Sequence, residues 1–100
     1  MIIDIDTGDY DGSLKADRHG ELESIIHDVV LEYLGATDRF PDFRSGHEGL
    51  AIIQEEFEEL KSAVFWPHKS DGFDHEEARQ LAAMAIRYLM DIVSDRSQQT

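Results

Sequence analysis

The sequence predicts an all-α fold: an antiparallel bundle of about three main helices per chain, completed by homo-oligomerisation. Three segments carry apolar residues at the spacing of a helix face, and short connections rich in Pro, Gly or Asp separate them. The 100 residues leave room for one domain with a modest core. Helices joined by such short connections pack antiparallel to one another.

The N-terminal part predicts an arm followed by the first helix. Residues 1–20 are rich in Asp and Gly and show no sustained period, so we interpret them as an acidic, Gly-rich arm. A helix follows from Glu21 to Leu34, and Gly35 is expected to end it. Residues 36–44, which contain a proline and two phenylalanines, form a connection.

The second helix is predicted to begin at Ser45. Ser45 and Glu48 have the spacing of a capping box, in which each side chain bonds the other's backbone N–H. The helix ends before Pro67, and residues 66–73 form a loop. Its expected core-facing stripe comprises Leu50, Ile53, Phe57, Leu60 and Val64.

The third helix is predicted to run from Asp74 to about Val93. Asp74 and Glu77 have a second capping-box spacing, and Glu76 and Arg87 fall on the polar side. More than half of the circumference of this helix is apolar, which is more than two thin neighbours can cover. We therefore predict a homodimer or homotetramer.

Composition narrows the classes of partner. The chain has 22 acidic and 9 basic residues and a formal net charge of −13. Such a surface repels phosphate backbones and anionic membranes, so we expect no direct nucleic-acid binding and no membrane association. The absence of cysteine excludes disulfides and thiolate chemistry. We see no signal peptide and expect a cytoplasmic protein.

Carboxylates at the edge of the predicted core are the candidate site. Within the run EEFEE at residues 55–59, Glu58 points to solvent, whereas Glu56 and Glu59 lie beside the apolar stripe. Glu77 has a similar place on the third helix. A solvated acidic face, and for Glu77 the capping box, explain these residues without a ligand. Together, however, they form a hard-oxygen cage suited to Mg²⁺ or Mn²⁺.

Two longer runs carry a family resemblance. Residues 45–60 read SGHEGLAIIQEEFEEL, and residues 77–85 read EARQLAAMA. They resemble the MazG-like branch of the all-α nucleoside triphosphate pyrophosphohydrolases, which is marked by Glu-x-x-Glu on one helix and Glu-x-x-Asp on the next. Glu56 and Glu59 match the first pair and Glu77 the third position, while Gln80 replaces the fourth residue. The resemblance covers roughly residues 40–93, within a predicted domain of 21–94 and before a tail of 95–100.

The resemblance implies hydrolysis of a nucleoside triphosphate to a monophosphate and pyrophosphate with Mg²⁺, for which Mn²⁺ can substitute. It assigns Glu56, Glu59 and Glu77 as metal ligands and catalytic residues, with one of them also acting as base. Gln80 is a further candidate ligand through its carbonyl oxygen. The base and sugar of the nucleotide are not specified by the sequence.

Other residues and functions remain open at this point. Lys69 and Arg79 are candidate phosphate partners and Trp66 a candidate stacking partner for the base, although a surface charge or core packing also explains each of them. A non-enzymatic acidic protein that mimics DNA is the rival function, because a charge of −13 suits a basic partner. A catalytically inactive MazG-like binding module is a third interpretation, because of Gln80.

Overall fold

The computed structural model describes residues 16–68 and 73–94, and in these ranges it confirms the all-α prediction. The helices are α1 (Ala16–Arg39), α2 (Gly46–Phe65) and α3 (Asp74–Tyr88), and a π-helical segment, Leu89–Ser94, continues α3. The predicted tail and most of the predicted arm lie outside the described residues. None of the helices in the two ranges is long and apolar enough to cross a membrane.

Helix α3 packs against both α1 and α2 and is the central helix of the three. Tyr88 at the end of α3 lies against Gly49 near the start of α2, so these two helices run antiparallel. The core around α3 consists of Val29, Ala36, Phe43, Ala83 and Met84. Ala83 and Met84 are 0% and 8% exposed, whereas Leu89 and Met90, which follow α3, are 56% and 53% exposed. One chain therefore covers only part of the apolar surface of the third helix, and the predicted oligomer stays a prediction.

Helix α1 is longer than predicted at both ends. It begins at Ala16 rather than Glu21, and it passes through Gly35 to end at Arg39. A glycine in a helix interior costs about 1 kcal/mol relative to alanine, which is too little to end a helix that has core contacts beyond it. Ala36, which is 3% exposed, provides such a contact.

The start of α2 agrees with the prediction, and its end does as well. Ser45 is the N-cap, and its Oγ accepts a hydrogen bond from the Glu48 N–H at 3.1 Å. The Glu48 carboxylate accepts from the Arg44 N–H at 3.4 Å rather than from Ser45. The helix ends at Phe65, before Pro67, as expected.

The predicted capping box of α3 is wrong. Phe73 precedes the helix and makes no side-chain cap, and the Glu77 N–H donates to the Phe73 carbonyl at 3.0 Å. Asp74 is thus inside the first turn, and its spacing to Glu77 no longer has a capping role. The capping box therefore does not explain Glu77, although Glu77 still lies in the first turn of α3, where the positive end of the helix favours a carboxylate. The predicted extent to about Val93 is confirmed by the π-helical segment.

The register of α2 differs from the prediction. Leu50, Phe57 and Val64 recur every seventh residue, yet they are 60%, 51% and 56% exposed. They were expected to form the core-facing stripe together with Ile53 and Leu60, and of these five residues Ile53 does pack against the core. Helix α2 instead turns its neighbouring face toward α3, which includes Gly49, Ile52, Glu56 and Ala63. The uncovered apolar surface of the chain thus includes a stripe along α2.

The close approach of α2 and α3 at Gly49 gives a stability prediction. A Cβ at Gly49 would lie 2.7 Å from Tyr88 Cδ2 and 3.0 Å from Phe43 Cδ2. We expect Gly49→Ala to lower the free energy of unfolding by about 1–3 kcal/mol, because this overpacking outweighs the better helix propensity of alanine. Urea denaturation measures the change.

Gly20→Ala is the matched control for this substitution. Gly20 lies in α1, and a Cβ added there would have no neighbouring atom within 4 Å, so alanine should stabilise the protein by up to about 1 kcal/mol. Equal effects of the two substitutions would show that the contact at Gly49 is looser than the structure indicates.

Candidate metal centre

Three carboxylates from two helices converge where the middle of α2 meets the start of α3. Glu56 and Glu59 lie one turn apart on α2, and Glu77 lies in the first turn of α3. One carboxylate oxygen from each residue lies within 4.8 Å of the others. Glu77 is buried, Glu56 is half-buried and Glu59 is exposed. We call these three residues the carboxylate cluster.

Gln80 joins the carboxylate cluster from the next turn of α3. Its side-chain nitrogen donates to Glu56 Oε2 at 3.2 Å and to Glu77 Oε2 at 3.3 Å in the amide orientation that satisfies all three groups. Rotation of the amide by half a turn places its carbonyl oxygen toward the same carboxylates. Gln80 can thus bridge the carboxylates as a donor or add a fourth oxygen for a cation.

The surroundings of Glu56 disfavour negative charge on its carboxyl group. Burial, the negative charges of Glu59 and Glu77 and a hydrogen bond to Glu59 together raise the pKa of the Glu56 carboxyl from 4.5 to about 7. Glu55 makes a smaller contribution in the same direction. A carboxyl group placed in this way is stabilised by a proton or by a nearby cation. Oxygen donors at this spacing suit a hard divalent ion such as Mg²⁺ or Mn²⁺.

A cavity of about 490 Å³ adjoins the carboxylate cluster. Glu56 of the cluster lines the cavity, and so does Gln80 beside it. The connection between α1 and α2, residues 40–45, contributes Phe40, Pro41 and Phe43 to the wall. The other lining residues lie on α1, α2 and α3: Glu32, Ala36, Arg39, Glu48, Ile52, Glu55, Met84 and Arg87. The cavity therefore has an apolar wall and a charged rim.

Comparisons with known proteins leave the family open. No protein-family model, curated protein or solved structure matches the chain. The resemblance to MazG-like enzymes therefore stays a prediction.

The structure does not bring Arg79 or Trp66, two of the three predicted substrate-binding residues, to the cavity. Arg79 pairs with Glu32 of α1, with Nε 3.4 Å from Oε1. Trp66 is 49% exposed at the end of α2 and packs against Phe65, with 5.8 Å between the ring centroids. Neither residue lines the cavity. Lys69 lies outside the described residues.

Arg87 is the residue that the sequence analysis placed wrongly. It was expected on the polar side of α3, but its side chain is only 3% exposed and it lines the cavity. Its guanidinium lies over the Phe43 ring, with 4.4 Å from Cζ to the ring centroid. No signal in the sequence distinguishes this arginine from a surface charge, because its partners are supplied by the connection after α1.

The raised pKa of Glu56 predicts a pH dependence of stability in the absence of metal. The folded-state pKa of about 7 exceeds the ordinary value of 4.5, so the folded protein binds more protons between these values. The free energy of unfolding contributed by Glu56 is therefore largest below about pH 4.5 and declines as the pH rises through about 7. Denaturation in EDTA across this range measures it.

Glu56→Gln isolates this contribution, because glutamine does not titrate. We expect wild type to lose stability relative to Glu56→Gln as the pH rises from about 5 to about 8. A constant difference between the two proteins would mean that Glu56 keeps an ordinary pKa and that its neighbours do not crowd it.

Proposed function

We propose that the protein is a metal-dependent nucleotide pyrophosphohydrolase that converts a nucleoside triphosphate to a monophosphate and pyrophosphate. The observation that carries the proposal is the convergence of Glu56, Glu59 and Glu77 from two helices beside a cavity. The family resemblance of the same residues supports it independently of the geometry. The proposal includes Mg²⁺ as the cofactor, with Mn²⁺ able to substitute, and a cytoplasmic location.

The residues divide the work between binding and proton transfer. Glu56, Glu59 and Glu77 would hold the metal, which would supply charge shielding for the phosphates and activation of water. One of these carboxylates would take the proton of the water that attacks the α-phosphorus, as the bond between the α-phosphorus and the bridging oxygen breaks and pyrophosphate leaves. Gln80 orients Glu56 and Glu77 through its amide or adds its carbonyl oxygen to the ligand set. The cavity receives the base and sugar, because it adjoins the cluster and offers Phe40 as an exposed aromatic surface.

The placement of the carboxylates also bears on the rival function. A DNA mimic needs acids spread over its outer faces, since it presents them to a basic partner. The carboxylate cluster, by contrast, includes Glu77, which is only 9% exposed, and Glu56, which is half-buried. Buried carboxylates serve a basic protein poorly and a small cation well, which favours the enzyme. An inactive binding module would keep the cluster and lack turnover.

A panel of common and modified ribo- and deoxyribonucleoside triphosphates tests the proposed function. With Mg²⁺ or Mn²⁺ present, we expect release of pyrophosphate, and no orthophosphate, from at least one nucleotide, and we expect EDTA to stop the reaction. Metal-dependent nucleotide binding without turnover would indicate the inactive binding module. Release of orthophosphate would assign a different bond and contradict the proposal.

We also propose that the chain forms a homodimer or homotetramer through the exposed stripe of α2. Leu50, Phe57 and Val64 are more than half exposed and follow a seven-residue repeat, which is the pattern of a helix that packs on another helix. Light scattering should give a mass of two or four times the 11.4 kDa of one chain. Phe57→Gln should weaken the assembly, while the neighbouring surface substitution Glu58→Gln should not. A monomeric wild type at micromolar concentration would contradict this proposal.

A further inference from the structure

Two buried residues of the third helix hold the connection between α1 and α2. Arg87 Nη2 donates to the Pro41 carbonyl at 2.6 Å, and Asp91 Oδ2 accepts from the Phe43 N–H at 3.0 Å. The two side chains are 4.0 Å apart and only 3% and 8% exposed. The guanidinium also lies over the Phe43 ring. Polar contacts thus fix the backbone of the connection on both sides of residue 42.

Fold stability alone does not explain a buried arginine at this position. A buried ion pair is often no more stabilising than apolar residues of similar volume, because both charges lose their hydration. Arg87 Nε, moreover, has no hydrogen-bond partner among the described residues. Arg87 and Asp91 instead make directional hydrogen bonds to two backbone groups of the connection. A pair of apolar side chains could not make these bonds.

Asp91 lies in the π-helical segment Leu89–Ser94, which follows the α-helical part of the third helix after Tyr88. Such segments are rare, and they are frequent at functional sites. The third helix therefore changes its geometry in the segment that bonds the connection.

The connection in turn forms a wall of the cavity. Phe40, Pro41 and Phe43 line the cavity together with Arg87 and with Glu56 of the carboxylate cluster. We propose that Arg87 and Asp91 are positioning residues that hold this wall in the shape required by the base and sugar of the nucleotide. This inference rests on the proposed function. It assigns the pair an effect on nucleotide affinity and none on the binding of metal alone.

The test compares Asp91→Ala with Asp91→Asn in the full chain. Asparagine keeps an oxygen that accepts from the Phe43 N–H, and alanine does not. Calorimetric titration with the α,β-imido analogues of the ribo- and deoxyribonucleoside triphosphates in that panel, in the presence of Mg²⁺, measures affinity without turnover. We expect Asp91→Ala to weaken binding about tenfold or more and Asp91→Asn to restore most of it. Titration with Mn²⁺ alone should give the same affinity in all three proteins.

The outcomes show whether the inference, the proposed function or both have failed. Equal nucleotide affinity in wild type and Asp91→Ala would overturn the inference, and so would a matching loss of Mn²⁺ affinity, which would indicate general damage. Binding of the analogues without hydrolysis of the parent nucleotides would overturn only the proposed function. No binding by wild type would overturn both. If Asp91→Ala fails to fold, Arg87→Lys, which keeps the charge and loses the planar fork, should show the same loss of nucleotide affinity.

Discussion

Glu56→Gln is expected to abolish most of the pyrophosphohydrolase activity. Glu56 belongs to the carboxylate cluster, and in the proposed mechanism its negative charge helps to hold the metal that stabilises the transition state. Loss of several kcal/mol of this stabilisation lowers kcat/KM by about a thousandfold, since each 1.4 kcal/mol corresponds to about a factor of ten. Pyrophosphate release at saturating Mg²⁺ measures the loss, and circular dichroism checks that the variant is folded.

Glu55→Gln is the matched control, because the two residues are neighbours of the same type and charge. Glu55 is exposed and lies outside the carboxylate cluster, although it lines the cavity. We expect its substitution to change kcat by no more than a few-fold and to act mainly on KM. The same contrast is expected on α3 between Glu77→Gln and Glu76→Gln. A larger loss from Glu55→Gln than from Glu56→Gln would contradict the assignment of the cluster.

Millimolar Mn²⁺ is expected to raise the melting temperature of wild type substantially. In the proposed site the metal binds the folded cluster and finds no comparable site in the unfolded chain, so its binding free energy should add to stability. At about 100 times the Kd the gain is about 2.7 kcal/mol, which corresponds to roughly 10–20 °C for a domain of this size. Differential scanning fluorimetry with and without Mn²⁺ measures the shift.

The double variant Glu56→Gln/Glu59→Gln tests whether the shift arises at the cluster. It removes two of the three carboxylates and leaves most of the acidic surface unchanged. We expect its melting temperature to respond little to Mn²⁺. An equal response in wild type and the double variant would mean that the ion binds the general acidic surface. Glu55→Gln/Glu58→Gln, with the same change in net charge, should respond like wild type.

The fold could be predicted from the sequence where local signals were strong. Ser45 and Pro67 marked the limits of α2 correctly, because a cap and a proline act on the backbone directly. Gly35 did not end α1, because tertiary contacts of Ala36 outweighed a small local preference. The seven-residue repeat of α2 correctly predicted an apolar stripe. The repeat did not specify which face of α2 meets α3. The face that does so carries small residues such as Gly49 and Ala63, which allow the two helices to approach closely.

The three carboxylates of the candidate site could be predicted from the sequence, but the residues around them could not. Glu56, Glu59 and Glu77 come together as their spacing predicted, and Gln80 lies with them. The buried place of Arg87 was not predictable, because it depends on backbone groups 46 residues away in sequence. The cavity likewise depends on how the connection folds back against α3. Contacts of this kind leave no periodic pattern in the chain.

The position of a bound metal shows whether Glu56, Glu59 and Glu77 form a metal site. A crystal grown with Mn²⁺ and measured at a wavelength with strong manganese anomalous scattering locates the ion without reference to activity. We expect an anomalous peak between α2 and α3, within about 2.0–2.3 Å of carboxylate oxygens from Glu56, Glu59 and Glu77. A well-ordered cluster with no peak, or ions confined to other acidic surfaces, would contradict this prediction.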